Sequence, residues 1–240
     1  ARIATRIDFP TQGDFHADLK RRVADYFTRS GRAPRGGRAM HVKTMAILGW
    51  FGVSYVALFA FGASTGWLAS LFTLSLALAM AGIGFSIMHD ANHGAYSPSP
   101  RVNRAVGLTI DLIGGSSYVW RFKHNVFHHT YANIAGMDAD IDSEPFLRLA
   151  PSQRRRRLHR YQHLYVWFLY GILPIKWWFV DDLRDAFTGR IGSQPCPRPR
   201  GWDLATLLVG KAVFVVWTIV LPALVFRSWW LIPLYLFGVF

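Results

Sequence analysis

Two uncharged runs, Thr44 to Ser64 and Gly66 to Met88, lie back to back in this 240-residue chain. Each is long enough to cross a hydrocarbon core, which takes about 20 helical residues. Only a tight turn near Thr65 and Gly66 separates them, so they pair as a hairpin of antiparallel spans. A third run, Leu204 to Phe226, holds a single charge, Lys211. Lys211 lies within two turns of the run's start, where its amine can snorkel to the interface. A fourth run begins at Ser228 and is still apolar at Phe240. Those 13 residues are too few to cross, so the last helix is expected to be truncated.

Charge gives these runs a sidedness. Lys and Arg number 27 against 14 Asp and Glu, a net +13. Residues 1–43 and 89–203 hold 25 of the 27 basic groups, and the short turns at 64–66 and 227–228 hold one. This is the positive-inside pattern: the basic arm, 1–43, and the segment 89–203 are expected in the cytoplasm. A nucleic-acid partner is excluded, because its basic surface would be a continuous patch on a soluble domain. The hydrophobic share of 52% excludes disorder. The lone Cys196 excludes a disulfide scaffold. The first run follows a long basic arm and leads into a second span, so it is no secretory signal.

The expected fold is therefore an all-α, polytopic membrane helix bundle of two helical hairpins. Its spans lie at about 44–64, 66–88, 204–226 and, in part, 228–240, within a membrane domain over 44–240. Two further apolar stretches, Val102 to Trp120 and Tyr161 to Val180, contain charges, glycines or a proline. They read better as helices at the interface or against the bundle; the alternative is another pair of spans. The PCPRPRG stretch at 195–201 is a connector.

Five of the nine histidines fall in two short clusters. His89 and His93 stand four apart, so on a helix they share a face. His124 and His128 repeat that spacing, and on an α-helix His129 points about 100° further round. Neutral imidazole is the commonest metal ligand. A single such pair is more often interfacial, but two clusters on one segment beside apolar helices favour a metal. His159 and His163 follow the run Arg154–Arg157, which looks like a contact for anionic lipid; for this pair local hydrogen bonding is the better reading. His16 and His41 have no assigned role. Asp138, Asp140 and Asp142 can accept the second ring N–H of metal-bound histidines, or cap helices and balance arginines. Asp90 adjoins His89 but points to another face.

HDANHGAYS and WRFKHNVFHHTYANIAGMDAD, with the spans around them, resemble the membrane fatty acid desaturase family, in its bacterial front-end, linoleoyl-CoA desaturase-like branch. DFHADLKRRVADYF and HRYQHLY also look like that branch, so the resemblance covers nearly the whole chain. It implies that His89 and His93 form a first histidine box and His124, His128 and His129 a second. In this family such boxes bind two iron ions on the cytoplasmic face, with molecular oxygen as co-substrate and no catalytic residue beyond the metal ligands. The third box of the family, (His/Gln)-x-x-His-His, is not present in residues 1–240; the chain is expected to be a fragment or inactive as written. The resemblance implies a lipid bilayer, an acyl-lipid or acyl-CoA substrate, and a separate ferredoxin or cytochrome with a reductase as electron donor. Tyr118 and Trp120 can line an acyl tunnel, although interfacial anchoring suits them better. A related hydroxylase or ketolase, and a non-catalytic metal-binding membrane protein, remain as alternatives.

Overall fold

In the computed structural model, which describes residue 7 and residues 13–62, 65–226 and 230–239, three helices are long and apolar enough to cross a membrane. They run over Arg38–Gly62, Gly66–Asn92 and Gly201–Val225. The first begins six residues before the uncharged run because its polar start finds partners. His41 Nδ1 lies 3.1 Å from the Tyr96 hydroxyl, and Lys43 Nζ lies 2.9 Å from Asp90. The second extends past Met88, so His89 rides on the same helix as the span. The turn residues 63–64 and 227–228 lie outside the described residues.

The spans are apolar on every side, the pattern of helices whose solvent is lipid. Phe85 is 85% exposed and Leu224 77%. Apolar surface of that extent on three neighbouring helices marks contact with a membrane. The core sits where the spans meet, around Leu58, Leu76, Ile83, Phe214 and Trp217. Tyr55 Oη donates to the Trp217 carbonyl at 2.5 Å, joining the first span to the third. A helix over Leu231–Val239, from the fourth run, packs on the second span, with Tyr235 buried against it. The architecture is the all-α membrane bundle expected from the sequence.

Between the second and third spans the chain folds back on the bundle. The 102–120 stretch is broken into helices Pro100–Gly107 and Thr109–Leu112, then a glycine turn. Gly114 has φ +99°, and a Cβ there would meet the Phe214 ring at 2.8 Å. Only glycine admits both that conformation and that approach. A continuous helix covers 162–188. Its first part, Gln162–Lys176, has no buried residue, whereas Trp178, Asp182 and Ala186 are buried. Neither stretch belongs to the three candidate spans. The helix ends at Gly189 in the left-handed region, and Arg190–Ile191 then pairs antiparallel with Gln194–Pro195.

Lys211 corrects its expected role. Its amine does not snorkel; it turns inward, donating to Asp182 Oδ2 at 2.8 Å and to the Gly114 carbonyl at 2.6 Å. Burying an amine is tolerable only with such partners.

Candidate metal centre

The first histidine pair keeps the expected geometry. His93 N–H donates to the His89 carbonyl at 3.1 Å, an α-helical bond, and the two rings stand 4.6 Å apart. The second cluster lies on a helix over 117–131. Ser116 starts it, its hydroxyl accepting from Val119 N–H, and Asp111 accepts from Ser117 N–H at 3.2 Å. Burial comes first in pushing the Asp111 carboxyl up from 3.8 to about 6, against the pull of those Ser117 bonds.

Here the winding departs from expectation. Residues Arg121–His128 form a π-helix, and His129 N–H donates to the His124 carbonyl, five residues back. The wider turn changes which residues share a face. His129 does not point a quarter-turn away; its Nε2 comes to 3.3 Å from His124 Nε2. His93 joins the same group, 4.9 Å from the His129 ring and 5.2 Å from the His124 ring. All five histidines thus form one cluster, drawn from two helices.

Two donor groups stand out among the described residues. One atom each from His89, His93 and His124 lies within 4.8 Å of the others, as does one each from His124, His128 and Asp140. His124 belongs to both. The chemistry of the set fits a metal. Burial, then the neighbouring histidines, lowers the pKa of His93, and the same causes bring His124 down to about 4. Both imidazoles are therefore neutral near pH 7 and keep a free lone pair. Two imidazole nitrogens held about 2.1 Å from one ion stand about 3.0 to 3.4 Å apart, for angles between about 90° and tetrahedral, and His124 Nε2 and His129 Nε2 stand 3.3 Å apart.

The acids divide the expected roles. Asp138 is 1% exposed and accepts from His128 Nδ1 at 3.0 Å, from Asn133 N–H at 2.9 Å and from Asp140 N–H at 3.0 Å. It both orients a histidine and caps the short helix Ala139–Ile141. A carboxylate on Nδ1 leaves the His128 Nε2 lone pair free for a ligand. Asp140 lies 3.4 Å from His128 Nδ1 and pairs with Lys123 at 3.0 Å. Asp142 is exposed and acts on Arg184 instead. Asp90 pairs with Lys43 at 2.9 Å through one oxygen, but its other oxygen lies 3.9 Å from His89 Nδ1, so it borders the cluster and does not face away from it as expected.

Trp120 is buried and stacks on His124, with centroids 4.3 Å apart, and it meets His89 and His93 edge to face. It forms an apolar floor under the cluster. Tyr118 does not reach the histidines; its hydroxyl donates to the Pro197 carbonyl at 2.6 Å. His159 is buried, with Nδ1 accepting from Arg156 N–H and Nε2 on the Pro145 carbonyl. Both ring nitrogens are engaged locally, as anticipated. His163 and His16 are exposed.

Residues that the sequence did not single out hold the two helices together. Asn125 Nδ2 donates to the Asn92 carbonyl at 2.8 Å, and Asn92 Nδ2 donates to the Met88 and Gly107 carbonyls. The one legible signal was their place beside the histidines, in HDANH and HNVFHH.

Comparison with known proteins agrees with this geometry. The sequence profile of the family described as fatty acid desaturase matches residues 65–240. The sn-1 linoleoyl-lipid 6-desaturase of Arthrospira platensis is 38% identical over 218 residues, which cover 91% of this chain and 59% of that protein. The enzyme of the same name from Synechocystis sp. is 35% identical, over 91% of this chain and 61% of its own length. The acyl-lipid (8-3)-desaturase of Physcomitrium patens is 36% identical, over 88% and 44%. This chain thus spans about three fifths of the two cyanobacterial proteins. No solved structure matches it. The profile covers both histidine clusters and the second and third spans, and on that ground the chain belongs to the fatty acid desaturase family.

Proposed function

We propose that this chain carries the arm (1–43) and the membrane domain (44–240) of an oxygen-dependent acyl-lipid desaturase, and supplies two of the ligand sets of a diiron centre. The observation that carries the reading is the convergence of His89, His93, His124, His128 and His129, from two separate helices, on one cluster beneath the end of a span. The names of the relatives favour a lipid-linked acyl substrate over acyl-CoA. A centre of two irons, when bound, supplies with molecular oxygen the oxidising power that an unactivated C–H bond requires.

The protein's own part is positional. His89, His93, His124, His128 and His129 offer imidazole nitrogens, and Asp138 fixes the ring of His128 by holding its Nδ1–H. Trp120 closes the cluster on the core side and keeps water from that face. The acyl chain reaches the site from the bilayer in which the spans lie. The concentration of 25 of 27 basic residues in the arm and the 89–203 segment supports a cytoplasmic cluster. It also supports delivery of electrons there, from a separate ferredoxin or cytochrome and its reductase.

Expression of the full-length protein in a host of defined acyl composition tests the reading. Gas chromatography of the lipid acyl chains is expected to reveal a species with one more double bond, absent with His128→Ala. An unchanged profile from iron-loaded protein contradicts desaturation, and a hydroxylated product assigns a different reaction.

A further inference from the structure

Residues 144–176 build a surface that contributes none of the clustered donor residues. Their loop, 144–156, is tied internally. Gln153 Oε1 accepts from Leu149 and Ala150 N–H at 2.6 and 2.8 Å, and its Nε2 donates to the Ile141 carbonyl. His159 bridges Arg156 N–H and the Pro145 carbonyl, and Gln162 exchanges two bonds with the backbone of Arg148. This frame leaves Arg154, Arg155, Arg156, Arg157 and Arg160 all exposed. Among the described residues no carboxylate pairs with any of the five guanidinium groups. The nearby Glu144 is occupied by the backbone N–H of Arg154.

Apolar side chains continue from this basic cluster. Leu158 and Tyr161 are exposed among the arginines. The 15-residue stretch Gln162–Lys176 then buries no residue and exposes Leu164, Trp167, Phe168 and Leu173. It is about 22 Å of helix at 1.5 Å per residue, apolar around most of its circumference, with the five arginines just before its N-terminal end and Lys176, at its other end, paired with Asp181. Guanidinium forks match phosphate oxygens, and apolar helix beside them matches acyl chains. An anionic phospholipid carries both in one molecule.

We propose that residues 144–176 form a docking platform for anionic phospholipid, with the five arginines on lipid phosphates and helix Gln162–Lys176 among the acyl chains. The test uses the purified chain in neutral detergent, titrated with phosphatidylglycerol or phosphatidylcholine of identical acyl composition. Lipid retention is read by native mass spectrometry. Wild-type protein is expected to retain phosphatidylglycerol about tenfold or more tightly than phosphatidylcholine, since each basic group near an anionic surface adds attraction. That preference falls as NaCl rises from about 0.05 to 0.5 M. The combined variant Arg154→Gln, Arg155→Gln, Arg156→Gln, Arg157→Gln loses it, and the matching four-Lys variant keeps most of it. The salt series on wild-type protein decides the matter if the Gln variant does not fold. Equal retention of the two lipids, or an unchanged preference in a folded Gln variant, overturns the proposal. So does inorganic phosphate that displaces phosphatidylglycerol completely, or a stable dimer that buries the helix without lipid.

Discussion

At His128 one ring nitrogen is already committed, and the consequence is testable. Asp138 is buried and satisfied by three donors, so its carboxylate is fixed before any ligand arrives. Replacing it by Asn is expected to weaken metal binding by about 10–100-fold, measured by competition with a chelator. His159→Ala, remote from the cluster, should leave that affinity unchanged while weakening the turn it pins. Asp111 predicts a pH dependence. Its pKa is raised by burial from 3.8 to about 6, so the folded protein binds this proton more tightly than the unfolded chain does. The stability it contributes is full below about pH 4 and is lost as pH rises through about 6. Asp111→Asn keeps an acceptor for Ser117 N–H and should flatten that part of the stability curve, by up to about 3 kcal/mol. Unfolding in detergent from pH 4 to 7 measures it. The two histidine clusters were legible in the sequence by spacing, but which of Asp138, Asp140 and Asp142 meets a histidine was not, because that depends on how the chain folds back after the second cluster. The inward turn of Lys211 was not, because its partner Asp182 lies 29 residues away and a lone lysine near a span's end looks like an interfacial one.

Among the elements, the spans were the most legible, since length and the absence of charge are local properties. Their ends were less so: the first begins at Arg38 because Tyr96 and Asp90, distant in sequence, receive His41 and Lys43. The winding of the second histidine helix was not legible either. The sequence supplies a spacing, and only the backbone decides whether that spacing is read at α or π pitch. The glycine turn between Ile113 and Ser116 sets where that helix starts. Gly114→Ala adds a strained positive φ and a clash with Phe214. It is expected to destabilise the protein by about 2–5 kcal/mol, read as a lowered unfolding midpoint. A second substitution, Phe214→Ala, should remove the clash but not the backbone strain, so the two effects should not add.

For the whole molecule, composition gave the class and geometry gave the site. The basic excess, distributed over the arm and one long segment, identifies a membrane protein rather than a nucleic-acid binder. The lipid-facing exposure of the three spans agrees with it. The fold then brings the end of the second span beneath the 117–131 helix, so that one histidine, His124, serves both donor groups. That sharing makes His124 the position on which the account turns. The direct measurement is ferrous iron retained per chain by purified protein after anaerobic loading and desalting, compared between wild type and His124→Ala. Wild-type chain is expected to retain iron and His124→Ala to lose most of it, while His163→Ala matches wild type. Equal iron in wild type and His124→Ala would contradict a metal centre built on this cluster.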